Sequence, residues 1–147
     1  MSTLEKAIEV AARAHAGQSD KAGEPYIFHP IRVMLAQSDP RARIAAILHD
    51  VVEDSDVTLD DLRREGFSEE VVVAVDALTE REGETRLDKA KRAAKNEIAL
   101  RVKLADVTDN MDMSRIPRPA ERDHARLREY QQMMEILLAK AAWLLST

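Results

Sequence analysis

Five short polar signatures follow one another along the chain: His29-Pro30, His49-Asp50, Glu53-Asp54, Asp106 and Asn110. The stretch His49-Asp50-Val51-Val52-Glu53-Asp54 concentrates the chemistry. An adjacent His-Asp pair offers a cation one nitrogen and one oxygen from a single turn of backbone. His29 upstream and Asp106 downstream complete an N2O2 set. Such a set suits a borderline or hard divalent ion such as Mn, Fe or Zn better than Ca or Mg. The usual chemistry of such a centre is hydrolysis by activated water.

The elements that must position these groups read as helices throughout. Leu4, Ile8, Ala11, Ala12 and His15 fall at helical spacing over 3–16, with Ser2 or Thr3 as cap. Residues 17–28 read as a loop, Pro30 opens a short helix to about 37, and Asp39-Pro40 opens another over 40–53. Ile44, Ile47, Leu48 and Val51 form its apolar stripe. His49 with Glu53, and Asp50 with Asp54, are four apart and would share the opposite face. Ala42, Ala45 and Ala46 before them would admit a close neighbour. Short helices follow over about 59–65 and 68–78, then a charged, solvated one over 86–95. On a helix over 96–111, Leu100, Leu104, Val107 and Met111 face the core, and Ala99, Lys103, Asp106 and Asn110 form an adjacent face. Asp109 is expected at the edge of that site or outside it. Leu127, Tyr130, Met134, Leu138, Ala141 and Leu145 stripe a final helix over 120–145. No strand alternation or repeat is present, so the chain is expected to be one all-α domain over 1–147.

Each signature alone has a plainer reading. Glu53 and Asp54 suit a solvated helix end, and His29 a helix start. Asp106, three residues after Lys103, suits a buried ion pair. The order and spacing of the whole set favours a site.

Composition narrows the function classes. Lys and Arg number 22 against 27 Asp and Glu, a net charge of -5, which argues against a dedicated nucleic-acid binder. Five aromatic residues leave few stacking platforms. With no Cys there is no disulfide, thiolate site or thiol nucleophile. Met1-Ser2-Thr3-Leu4-Glu5-Lys6 carries charge early, so no secretory leader is expected, and no apolar run is long enough to span a membrane. A cytoplasmic enzyme or binding module is expected, with a small phosphorylated ligand allowed.

The run from His15-Ala16-Gly17-Gln18 through Gly23-Glu24-Pro25-Tyr26 to His29-Pro30 resembles the opening of the hydrolase domain of Rel/Spo alarmone enzymes. Leu48-His49-Asp50-Val51-Val52-Glu53-Asp54 matches its HD and ED signatures. Val102-Lys103-Leu104-Ala105-Asp106, then Asn110-Met111, matches its later metal segment. The likeness runs over about residues 4–138, and the chain is expected to end where larger enzymes begin a synthetase domain. The resemblance implies a small alarmone hydrolase of the HD superfamily, active in the stringent response. It implies one divalent metal, commonly Mn2+, with Zn2+ or Fe2+ as alternatives, on His29, His49, Asp50 and Asp106. It implies that Glu53 and Asp54 position and activate water, that Asn110 contacts the nucleoside, and that Lys21, Arg126 and Tyr130 contact substrate. The reaction implied removes pyrophosphate from the ribose 3′ position of guanosine tetra- or pentaphosphate (ppGpp or pppGpp). Alternatives are an adenosine alarmone, NADPH or another phosphorylated nucleotide, or a non-catalytic nucleotide sensor. No nucleic-acid or membrane partner is implied.

Two sites depart from the family pattern. Asp20 stands where the family has an Arg held to stack on guanine, and Val107-Thr108-Asp109 replaces Arg-Leu-His. Asp offers neither a stacking plane nor positive charge. Looser base selectivity is therefore expected.

Overall fold

The structure, a computed structural model, describes residues 2–146 and the side chains of residues 2–144. The described chain forms helices α1 (Leu4–Ala14), α2 (Phe28–Leu35), α3 (Pro40–Leu48), α4 (Val51–Asp54), α5 (Leu59–Arg64), α6 (Glu69–Leu78), α7 (Arg86–Ala93), α8 (Glu97–Asn110) and α9 (Glu121–Ser146). Most starts have a local cause. Thr3, Asp39, Thr58, Ser68, Thr85 and Asn96 each accept a hydrogen bond from a first-turn amide. Thr58 with Asp61, and Thr85 with Asp88, do so reciprocally. Gly66, at φ +91°, ends α5 in a conformation that other residues adopt at a cost. Among the described residues the all-α expectation holds, with only an isolated bridge between Ser19 and Pro25. No helix there is long and apolar enough to cross a membrane.

Helix α3 runs through the middle of the bundle, against α1, α2, α6 and α8. Ala42, Ala45 and Ala46 are fully buried, so their small side chains let those neighbours approach closely. Ile47, Leu48 and Val51 are fully buried beside them, each worth about 1.5–3 kcal/mol of apolar burial. A second cluster joins α7, α8 and α9 through Ala90, Leu100, Val107, Tyr130, Met133 and Leu137. Helix α8 belongs to both clusters. Val102 faces the first and Val107 the second, leaving Asp106 on the seam between them.

Several sequence expectations are corrected. The helix expected over 40–53 breaks at His49-Asp50 and restarts as α4. The His49 ring takes the Ala46 carbonyl at 2.6 Å, and Asp50 sits at φ −104°, ψ −2°, off the helical path. His49 is consequently in the core, 2% exposed, rather than on a polar face shared with Glu53. On α1 the stripe rotates: Ala7 and Val10 are buried and Ala12 is exposed. Helix α7 is not merely solvated, because Ala90 and Ala93 pack inward between its charges. On α9, Met133 and Leu137 are buried while Leu138 is 54% exposed. The side chain of Leu145 lies outside the described residues.

Candidate active site

Three segments bring the polar signatures together: the start of α2, the break between α3 and α4, and the last turns of α8. His29 Nε2 lies 2.9 Å from Asp106 Oδ1 and 3.7 Å from Asp50 Oδ2. His49 Nε2 lies 3.2 Å from Asp50 Oδ2 and 3.5 Å from Asp106 Oδ1. His29, His49 and Asp50 each offer a ligand atom within 4.8 Å of the others, a cluster that could hold a metal ion. Asp106 Oδ1 also approaches both imidazoles, although the cluster whose ligand atoms all lie that close comprises His29, His49 and Asp50. All four residues are buried.

The tautomer of His49 tests whether a cation fits. Its Nδ1 must donate, because its partner is the carbonyl of Ala46. Its buried Nε2 then has no hydrogen-bond partner and faces two carboxylates. A ring nitrogen turned toward two anionic oxygens calls for a positive charge there, which a proton or a divalent ion supplies. The electrostatics agree. Burial disfavours a charged His49, but Asp50 and Asp106 outweigh it and raise its pKa well above the usual value. Burial alone would likewise raise Asp106, yet Lys103, His29 and His49 hold its carboxyl well below the usual range.

Each ligand candidate is braced from behind. Asp106 divides its oxygens: Oδ2 accepts from the buried Lys103 Nζ at 2.9 Å, leaving Oδ1 toward the histidines. The ion pair and the metal reading of Asp106 are thus compatible. Asn110 Nδ2 donates to the same Oδ1 at 3.1 Å. Tyr26 OH donates to Asp50 Oδ2 at 2.5 Å, and burial, then Asp50, keep its phenol protonated. Sequence reasoning passed over Tyr26. Its signal was the Gly-Glu-Pro-Tyr turn three residues before His29.

Asp109 is the main correction. It is not outside the site: its Oδ2 lies 2.7 Å from His29 Nδ1. Arg32 holds the same carboxylate through Nε at 2.7 Å and Nη2 at 3.0 Å. Burial would raise the Asp109 pKa, but His29 and Arg32 draw it down to about 2. A carboxylate behind a ligand imidazole fixes its tautomer and strengthens it as a donor. The signal was the i, i+3 spacing of Asp106 and Asp109, one for each nitrogen of the His29 ring.

Glu53 and Asp54 diverge. Glu53 lines the cavity, with Oε1 accepting from the Glu80 amide and Lys89 Nζ, each at 2.7 Å. Asp54 is exposed and outside the cavity lining. Partial burial, then Asp50 and Glu53, push its carboxyl up to about 6, where a group can accept and release protons near neutral pH.

The cavity beside the cluster has a volume of about 500 Å³, in the range of small-molecule sites. Lys21, His29, Asp50, Glu53, Asp106, Asn110, Arg126 and Tyr130 line it, while His49 sits beneath. Lys21, Arg86 and Arg126 gather there: burial, then Arg126 and Arg86, lower the Lys21 pKa. The Arg86 guanidinium lies 5.7 Å from the centre of the Tyr130 ring. Arg86 was missed because its place in a charged helix read as solvated surface. Asp20 also lines the cavity, but its Oδ1 accepts from the Ala22 and Glu24 amides at 2.8 and 3.0 Å. It organises the loop that carries Lys21.

Comparison with known proteins places this geometry. The family model described as HD domain matches residues 7–136. The chain belongs to the HD-domain family. Over 127 residues, 74% of this chain and 14% of the relative, it is 40% identical to the GTP pyrophosphokinase of Streptomyces coelicolor. It is 45% identical over 78 residues to the guanosine-3′,5′-bis(diphosphate) 3′-pyrophosphohydrolase of Borreliella burgdorferi, covering 50% of this chain and 12% of that protein. The bifunctional (p)ppGpp synthase/hydrolase SpoT of Escherichia coli is 36% identical over 140 residues, 81% of this chain and 19% of the relative. The chain therefore spans less than a fifth of these relatives. A solved structure described as a metazoan ortholog of SpoT that hydrolyzes ppGpp superimposes with a TM-score of 0.75. It is 25% identical, and the match covers 95% of this chain and 85% of that one. HD-domain membership and these likenesses agree with the resemblance read from the sequence.

Proposed function

We propose that this chain is an HD-type metal-dependent phosphohydrolase that removes pyrophosphate from the 3′ position of guanosine tetra- or pentaphosphate, leaving GDP or GTP. The observation that carries the reading is one cavity holding both an N2O2 cluster and a knot of three cations, Lys21, Arg86 and Arg126. Like charges gathered against desolvation call for an anion, and phosphates meet that need. The names of the relatives and of the metazoan structure supply the substrate.

His29, His49, Asp50 and Asp106 would hold one divalent ion, Mn2+ as the first choice and Zn2+ or Fe2+ as alternatives. When bound, it would lower the pKa of water and offset phosphate charge. The residues of the chain do the rest. Glu53, pinned by the Glu80 amide and Lys89, orients the water. Asp54, with its carboxyl near 6, takes the proton. Lys21, Arg86 and Arg126 hold the departing pyrophosphate, with Tyr130 packed against Arg86. Asn110, anchored on Asp106, turns its free carbonyl end toward the nucleoside. Water adds to the phosphorus nearest the ribose, the bond from that phosphorus to the 3′ oxygen breaks, and the 3′ oxygen leaves as a hydroxyl with the proton that Asp54 took from the water.

A second reading keeps the chemistry and moves the substrate to an adenosine alarmone or NADPH. Asp20, spent on loop amides, favours it, because no guanine-stacking group stands at that position. A panel of guanosine and adenosine 3′-pyrophosphates and NADPH, incubated with protein and Mn2+, separates the readings. Chromatography should show GDP and pyrophosphate from guanosine tetraphosphate. Release from adenosine substrates or NADPH alone would select the second reading. No release from any of them with Mn2+, Fe2+ or Zn2+ would end both.

A further inference from the structure

The cavity has two charged walls of different character. Lys21, Arg86 and Arg126 act on one another, and with Asp123 paired to Arg126 and Glu129 to Arg86 they keep a net positive charge. Arg32 and Arg115 also line the cavity but meet more carboxylates than they balance. Arg115 donates from Nη1 to Asp112 Oδ2 at 2.9 Å and from Nη2 to the Asp109 carbonyl at 3.0 Å. Its Nη2 is 3.5 Å from Asp109 Oδ1, which also receives Arg32 Nε. Asp20 acts on Arg32 as well. This wall therefore sets two cations against three carboxylates, Asp20, Asp109 and Asp112, and is not an anion site. Met113 and Ile116 line the cavity on the same loop as Arg115.

We propose that Arg115, backed by the Arg32–Asp109 pair, is the stacking platform for the nucleobase, and that it accepts purines with little discrimination. The inference rests on reading this cavity as a nucleotide site. A guanidinium is planar, with every donor in its plane. Both terminal nitrogens of Arg115 are engaged at the edge, on Asp112 and Asp109. What an edge-bound guanidinium offers a ligand is its face. A face stacks on any flat base and reads none of its hydrogen-bonding edge. Neighbouring carboxylates neutralise its charge, so this wall suits an uncharged ring, while the phosphates go to Lys21, Arg86 and Arg126.

The test compares native protein, Arg115→Lys and Arg115→Ala, all with Mn2+. Calorimetry measures binding of guanosine 3′,5′-bisphosphate, adenosine 3′,5′-bisphosphate and pyrophosphate, and hydrolysis of guanosine tetraphosphate is followed in parallel. Native affinities for the two nucleotides should agree within about tenfold. Both variants should bind both nucleotides about tenfold more weakly and pyrophosphate as before, with KM rising and kcat holding. Lysine retains the positive charge but has no plane, so it separates stacking from net charge. Metal content and melting temperature confirm that the variants fold. Native-like nucleotide binding by Arg115→Lys, equal loss for pyrophosphate, or loss for guanosine alone would overturn the inference. Hydrolysis with unchanged KM in both variants would remove the platform and leave the reaction standing. Arg115-dependent binding of both nucleotides without hydrolysis would remove the reaction and leave the platform. No binding of either nucleotide by the native protein would overturn both.

Discussion

Asp109 touches neither the cavity's cationic knot nor the proposed ion, yet its loss should weaken metal binding. Its carboxylate accepts from His29 Nδ1 at 2.7 Å, and its side chain is only 12% exposed. Arg32 grips both oxygens, so the acceptor cannot swing away. In Asp109→Asn the amide oxygen still accepts from His29, but the bond loses its charge. A hydrogen bond to a charged group is worth about 1.5–3 kcal/mol and a neutral one about half that. The difference of about 1.4 kcal/mol is roughly tenfold in affinity. Asp109→Ala removes the acceptor altogether and should approach the ~100-fold upper range for such supporting partners. Competition with a chelator of known affinity, titrated with Mn2+, measures both, and melting of the metal-free proteins controls for folding. Affinity within twofold of native in a folded Asp109→Ala would show that His29 needs no support, and the bracing argument would fall.

Other outcomes follow from the same geometry. His49→Ala and Asp106→Ala should each lose stoichiometric metal by elemental analysis, and with it the rise in melting temperature that Mn2+ gives the native chain; unchanged metal content in both would dismantle the site. Asp54→Asn should keep metal and lose about 100-fold in kcat, more than Glu53→Gln, because Glu53 is held in place by the Glu80 amide and Lys89. Native turnover should fall as pH drops through about 6, the Asp54 value, and a bound dication would move that limb lower. Because folding raises this pKa, the native state binds the extra proton, and Asp54 costs stability as pH rises through about 6. Metal-free Asp54→Asn should then melt above the native protein past that pH and level with it near the ordinary carboxylate pKa of about 4. Lys103→Met should destabilise the metal-free fold by up to about 3 kcal/mol, since it leaves the buried Asp106 Oδ2 without its ion-pair partner while His29 and Asn110 still hold Oδ1; a denaturant midpoint equal to native would mean that Asp106 is solvated.

The candidate donor residues and their order were legible in the chain, because a metal centre needs particular donor atoms and few residues carry them. Helices were legible too, since caps such as Thr58 with Asp61 and Thr85 with Asp88 act over three residues. Their packed faces were less so. Helix α8 is buried on two sides, so no single stripe describes it, and α9 turns Leu138 outward while Met133 and Leu137 enter the core. The break at His49-Asp50 depends on a side chain competing for the Ala46 carbonyl, which periodicity does not encode. Asp109 reaches His29 across 80 positions, Tyr26 reaches Asp50 across 24, and Arg86 comes from α7 to Lys21 on the loop before α2. Hydrogen bonds and charges act through space over a few ångströms. The chain therefore determined which groups could do the chemistry, and only the packing of α2, α3 and α8 decided which of them meet.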